Sequence, residues 1–84
     1  MTTIPDPEQS WASDERKRLV YRALGQMSEP SREMILLKEI QGLTVREIAN
    51  MLQTPVGTVK SRTHRARIEL ANRVLALDPS YGGA

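Results

Sequence analysis

An all-α fold, a four-helix domain without strands, is predicted from three observations. The chain has 84 residues, which suffice for one small domain. Hydrophobic residues make up 39% of the sequence and are mainly Leu, Ile, Val, Met and Ala, with few aromatic residues and no Phe, and this composition favours helices. Four segments carry apolar residues at spacings of three and four, and capping or helix-stopping residues bound them.

The first helix is predicted to begin near Ser13 or Asp14, after a disordered linker at residues 1–12 that contains prolines and has no periodicity. The helical domain covers residues 13–77, and residues 78–84 form a flexible tail. The apolar stripe of the first helix consists of Leu19, Val20, Ala23, Leu24 and Met27.

Caps delimit the second and third helices. Ser28 is predicted to cap the second helix, which runs to about Gln41 and is stopped by Gly42. Thr44 and Glu47 have the spacing of a capping box, in which each side chain accepts a hydrogen bond from a free backbone N–H of the other residue. Three methionines at helical spacing are predicted to fill the core: Met27, Met34 and Met51.

The fourth helix is predicted to follow the third after a very short turn around Gln53. Thr54 would cap it, Pro55 would occupy its first position, and it would continue to Leu77. The small residue Ala49 lies where the third and fourth helices would approach each other. Two helices joined in this way form a helix-turn-helix, whose second helix enters the major groove of DNA.

The fourth helix has two different faces. One is apolar and predicted to be buried: Val59, Thr63, Ala66, Leu70, Val74 and Leu77. The opposite face carries Lys60, Ser61, His64, Arg65 and Ile68.

Positive charge is concentrated in the fourth helix, although the net charge of the chain is only +2. Residues 1–53 hold seven Lys or Arg and eight Asp or Glu, whereas residues 54–77 hold five Lys or Arg and one acid, Glu69. This distribution is typical of a nucleic-acid contact. The alternative is a solvated charged face, although such a face usually mixes both signs. For Arg67 and Arg73, two alternatives remain: DNA contact, or ion pairing with Glu69 or with acids on other helices.

Two sequence stretches carry a family resemblance. GLTVREIANML at residues 42–52 and TPVGTVKSRTHRARIEL at residues 54–70 resemble region 4 of bacterial sigma factors of the sigma-70 family, most of all the extracytoplasmic-function (ECF) group. The resemblance covers about residues 13–77 and implies a helix-turn-helix domain of the sigma region 4 type, winged-helix-like but without strands. It also implies that the chain recognises the promoter −35 element and directs RNA polymerase to transcription initiation.

The resemblance implies a set of DNA-binding residues. The positions near the bases are Lys60, Ser61, His64 and Arg65, and the positions that would meet phosphates are Lys38, Thr44, Arg46, Thr58 and Arg62. Arg and Lys can donate to guanine O6 and N7, while Ser and His make shorter contacts. The chain departs from the family pattern at Gln53, where glycine is common, and at Thr63, where Leu or Ile is usual.

The partners implied by the resemblance are double-stranded promoter DNA, the RNA polymerase core through its β flap, and an anti-sigma factor. No segment resembles sigma region 2, so the chain is expected to be a fragment or a truncated product. With no Cys and no apolar run of the length of a membrane span, a cytoplasmic protein without a membrane contact is expected.

Other functions were weighed against this interpretation. The output domain of a response regulator, or of another transcription regulator, is a similar four-helix fold but usually has a separate short helix after the recognition helix. A protein-interaction module is compatible with the sigma interpretation. An enzyme is disfavoured because the sequence has no glycine-rich phosphate loop, no paired carboxylates in an apolar setting and no nucleophile beside its single histidine, His64. No cofactor and no metal site are expected.

Overall fold

Four α-helices form the fold in a computed structural model that describes residues 7–82, with side chains described for residues 14–81. The helices are α1 (Pro7–Gly25), α2 (Glu29–Ile35), α3 (Val45–Leu52) and α4 (Val56–Leu77). Two shorter helical segments complete the fold: a π-helical segment at Leu36–Ile40 after α2, and a 3₁₀ turn at Pro79–Gly82 after α4. No strand occurs among residues 7–82, and the predicted all-α class is confirmed.

The long helix α4 is the element against which α1, α2 and α3 all pack. Its buried side chains Val59 and Ala66 belong to one apolar core with residues of the three other helices and of the connection between α1 and α2. Those residues are Leu24, Met27, Met34, Ile35, Ile48 and Ala49. The core therefore fixes which side of α4 faces away from the domain.

The start of α1 differs from the prediction. The helix begins at Pro7 and not near Ser13 or Asp14, so it includes the second half of the predicted linker. Proline is well tolerated in a first helical turn, where its missing N–H would have no helical partner. Residues 1–6 and 83–84 lie outside the described residues, and the predicted domain boundaries stay predictions.

The second helical region reaches Ile40, as predicted, but its last turn is wider than an α-helix. The Gln41 N–H donates to the Leu36 carbonyl at 2.9 Å, which is the five-residue step of a π-helix. Gly42 ends the region with a φ of 73°, and the next N–H, that of Leu43, returns to the Leu37 carbonyl at 3.0 Å. A left-handed glycine followed by such a bond is the usual end of a helix.

Two of the three predicted side-chain caps are wrong. Ser28 precedes α2, but its hydroxyl makes no cap and instead donates to a carboxylate oxygen of Glu69 at 3.2 Å. Thr54 also makes no cap, because its hydroxyl donates back to the Leu52 carbonyl at 3.1 Å. Pro55 is the capping position, and α4 begins one residue later than predicted. A Ser or Thr side chain that is oriented toward another acceptor does not cap the free backbone N–H groups at the start of a helix.

Burial follows the predicted faces except at one methionine. On α4, Val59, Thr63, Ala66 and Val74 are buried, and the core also takes in Met27 and Met34, as predicted. Met51 is 55% exposed, so its predicted place in the core is wrong. The buried side of α3 is formed by Ile48 and Ala49, and Met51 lies about 110° around the helix from the midpoint between these two residues.

Candidate nucleic-acid interface

The connection between α3 and α4 consists of residues 53–55 alone. Gln53 ends α3 in the left-handed conformation, with φ 52° and ψ 48°. The Thr54 N–H donates to the Ala49 carbonyl at 2.9 Å and closes the turn. Ala49 is buried, and its small side chain lets the two helices approach. The predicted helix-turn-helix is therefore present, and Gln53 supplies the conformation for which glycine is usual.

The predicted capping box fixes the start of α3. The Glu47 N–H donates to the Thr44 hydroxyl oxygen at 3.0 Å, and the Thr44 N–H donates to a Glu47 carboxylate oxygen at 2.9 Å. Hydrogen bonds from the Thr44 backbone and side chain lower the pKa of Glu47 below its ordinary value. The capping box therefore holds Thr44 at the exposed start of α3.

The predicted base-proximal residues share one face of α4. Lys60, Ser61, His64 and Arg65 are all exposed. Their spacing of one, four and five residues places them side by side, within about 8 Å along the helix axis. The Ser61 hydroxyl donates to the Thr58 carbonyl at 3.1 Å, so its oxygen lone pairs face outward.

The buried face behind this stripe holds it in place. Thr63, where a larger apolar residue was expected to pack, is 6% exposed, and its hydroxyl donates to the Lys60 carbonyl at 2.9 Å. Because the Thr63 hydroxyl is hydrogen-bonded within α4, its burial lowers the stability of the core little. No side-chain N or O atom in the described part of the chain is both buried and without a hydrogen bond.

The predicted phosphate positions lie on three elements. Thr44 and Arg46 are exposed in the first turn of α3, and Arg46 lines an open depression of about 540 Å³ with Gln53 and Val56 at the helix-turn-helix turn. Thr58 and Arg62 belong to α4 itself. Lys38, half-buried, is separate from them on the π-helical segment, which packs against α2 and α3.

Two charged residues of α4 face the protein. The Arg67 guanidinium pairs with the Glu39 carboxylate, with Nε 2.7 Å from Oε1. Glu69 accepts the Ser28 backbone N–H at 2.7 Å as well as its hydroxyl. The Ser28 N–H, and after it the Ser31 hydroxyl, lower the pKa of Glu69. The single acid of residues 54–77 is thereby directed away from the basic stripe.

One structural contact was missed by reasoning from the sequence. Arg32, a polar residue of α2, donates from Nε to the Leu24 carbonyl at 2.9 Å and from Nη2 to the Met27 carbonyl at 3.0 Å. It thus satisfies carbonyl groups at the end of α1, where a positive charge is favourable. One signal for this contact was available in the sequence. It is a basic residue one turn into a helix that follows a short connection.

A comparison with known families decides the identity of this helix-turn-helix. Residues 17–70 match the family described as Sigma-70, region 4. The chain belongs to this family. The predicted resemblance is confirmed, and the alternative of a response regulator output domain is not favoured.

Curated relatives of this region 4 chain are ECF sigma factors. The ECF RNA polymerase sigma-E factors of Escherichia coli (strain K12) and Salmonella typhimurium are each 40% identical to it over 74 residues, and that of Haemophilus influenzae is 35% identical over 74 residues. The aligned part is 88% of this chain and 39% of each relative. The chain therefore spans about two fifths of the length of these proteins.

Two other kinds of feature are absent from the described residues of the region 4 chain. Among the described residues, no helix has the length and apolarity needed to cross a membrane. No group of three or more His, Cys, Asp or Glu side chains in the same part of the chain could hold a metal ion.

Proposed function

We propose that this region 4 domain binds the −35 element of promoter DNA in a sequence-specific manner. As part of an ECF-type sigma factor, it would direct RNA polymerase to the promoter and to transcription initiation. The names of the relatives, RNA polymerase sigma factors, support the second statement. A cytoplasmic location, where promoter DNA and polymerase are found, belongs to the same proposal.

The proposal rests on one observation, the exposed stripe in the first half of α4. Lys60, Ser61, His64 and Arg65 project from the side opposite the buried face, and all four lie within three turns of the helix start. In a helix-turn-helix the N-terminal part of the second helix reaches the base edges. The stripe is shorter than the roughly 12 Å width of the major groove. We assign these four residues to base contacts.

The flanking residues are assigned to the phosphates. Thr44 and Arg46 begin α3, the helix that crosses the DNA backbone in this motif, and Thr58 and Arg62 flank the stripe on α4. Lys38 would reach a phosphate from the π-helical segment. Contacts of this kind fix the position of the protein on DNA without reading its sequence.

Protein partners are a further part of the proposal. The RNA polymerase core, through its β flap, and an anti-sigma factor are the partners expected of an ECF sigma factor. Leu36 and Leu37 are half-buried at the edge of the core, and Ile40 of the same π-helical segment is exposed. This apolar edge is the surface that we assign to the polymerase.

The test compares a base-reading with a phosphate-binding arginine. A preferred duplex is first selected from a randomised pool with the 84-residue chain, and binding is then measured on it and on a scrambled duplex of equal composition. Arg65→Ala should cost roughly 1–3 kcal/mol on the selected duplex and little on the scrambled one. Arg46→Ala should weaken binding to both duplexes by a similar factor.

Equal losses on both duplexes for Arg65→Ala would remove the base-reading assignment. Failure of the selection to enrich any sequence, with the chain present above the micromolar Kd expected of the free domain, would contradict the proposed function as a whole. If Arg46→Ala weakened binding to the selected duplex alone, Arg46 would be the base-reading residue and not a phosphate-binding one.

A further inference from the structure

Gly57, the second residue of α4, has no structural reason to be glycine within the chain. A Cβ atom built there would meet no other atom within 4 Å. The backbone also does not demand it, because Gly42 is the one glycine with a positive φ in the described part of the chain. Packing and conformation would thus both accept alanine.

Glycine at this position weakens the free protein. In a helix it loses more backbone freedom on folding than alanine does, and it contributes no side-chain contact. When such a glycine lies on a binding surface, its missing side chain lets a ligand approach the backbone closely.

The position of Gly57 on α4 indicates which partner would approach its backbone. It precedes Lys60, Ser61 and His64 by three, four and seven residues, so it lies on the same helix face as the base-proximal stripe. Val56, which is 39% exposed, stands next to it and lines the depression at the turn. The exposed face that carries the stripe therefore continues into the first turn of α4, where Gly57 presents only backbone atoms.

We infer that Gly57 is a DNA-contact position at which the missing side chain lets the first turn of α4 lie directly against the −35 DNA. A methyl group there would hold the helix away from the groove and lengthen the contacts of Lys60 and Ser61 to the bases. This inference rests on the proposed function and extends it to a residue that carries no functional group.

Gly57→Ala tests the inference because stability and binding should move in opposite directions. Its thermal midpoint should equal or exceed that of the wild-type chain, whereas its binding to the selected duplex should weaken by at least about fivefold, the size of one lost base contact. Gly25→Ala is the matched control. Gly25 ends α1, its added Cβ would also meet nothing within 4 Å, and it is remote in sequence from the stripe. Its variant should bind like the wild-type chain.

The outcomes separate this inference from the proposed function. Unchanged binding of Gly57→Ala, with sequence preference intact in the wild-type chain, overturns the role of Gly57 alone. A fall in its thermal midpoint overturns the premise that the free chain does not need glycine. If the wild-type chain has no sequence preference, the proposed function and the inference fail together.

Discussion

Gln53 carries the turn of the helix-turn-helix in a conformation that costs energy for any residue with a side chain. Its φ of 52° lies in the left-handed region, where Cβ approaches the following carbonyl oxygen. The residue is exposed, so no packing of its side chain compensates for that cost. The turn is therefore held by its neighbours, through the Thr54 N–H and the packing of α3 on α4.

Gln53→Gly should stabilise the domain. Removing Cβ relieves the left-handed strain, and the gain exceeds the entropy that glycine loses, giving an increase of about 0.5–1 kcal/mol in the free energy of unfolding. Urea unfolding followed by circular dichroism measures it. Gln41→Gly is the control, because Gln41 also follows a helix but has a φ of −85°. A gain for Gln41→Gly of the same size, or none for Gln53→Gly, would contradict the explanation.

At the scale of elements, the features that could be predicted from the sequence are those that depend on residues close together along the chain. The capping box spans three residues, and the buried face of α4 repeats every three or four, so both were visible as patterns. Glu69 meets Ser28 across 41 residues and Arg67 meets Glu39 across 28, and no local pattern encodes such pairs. The predicted cap at Ser28 failed because its hydroxyl bonds to Glu69, which lies 41 residues away, whereas the predicted cap at Thr54 failed through a local bond to the Leu52 carbonyl.

The hydrogen bonds between Glu69 of α4 and Ser28 at the start of α2 should make the stability of the domain sensitive to acid. The hydrogen bonds from Ser28 and Ser31 lower the pKa of Glu69 in the folded state relative to the unfolded chain. A lowered folded-state pKa means that the stabilisation is present above the ordinary glutamate pKa of 4.5 and is lost as the pH falls through the folded-state pKa. Glu47, whose pKa is lowered by the Thr44 bonds, adds to the same loss.

Glu69→Gln should therefore flatten the decline of thermal stability below about pH 5. The measurement is a series of thermal melts from pH 7 to pH 3 for the wild-type chain and the variant. Glu33→Gln, at an exposed position of α2, serves as the matched control and should keep the slope of the wild-type chain. An identical slope for Glu69→Gln would mean that the carboxylate does not hold its Ser28 contacts in solution.

For the whole molecule, we expect weak DNA binding in the absence of a protein partner. The domain offers one recognition helix, and α4 runs unbroken to Leu77 without a separate dimerisation helix before the 3₁₀ turn. A single small module buries little surface on DNA, so its Kd should be about 10⁻⁶ M or weaker at physiological salt. Attachment to polymerase at the promoter would raise the effective concentration of the domain at its site.

A direct comparison on one promoter fragment checks this expectation. The 84-residue chain and the complete sigma factor bound to RNA polymerase are titrated against the same DNA, and only the assembly should reach nanomolar affinity. Specific nanomolar binding by the free chain would show that no partner is needed.

The ion pair between Arg67 and Glu39 should also reduce the number of counterions that DNA binding releases. Each phosphate that the protein neutralises lowers the slope of log K against log salt concentration by about 0.9. Arg67 is one of the five cations of α4, but its charge is already compensated within the domain. Arg62→Ala should therefore make the slope shallower by about 0.9, and Arg67→Ala should leave it unchanged. Titrations at several salt concentrations would reveal a shallower slope for Arg67→Ala if the pair opens to let Arg67 reach the DNA. If Arg67→Ala leaves the slope unchanged, α4 presents fewer positive charges to DNA than its sequence contains.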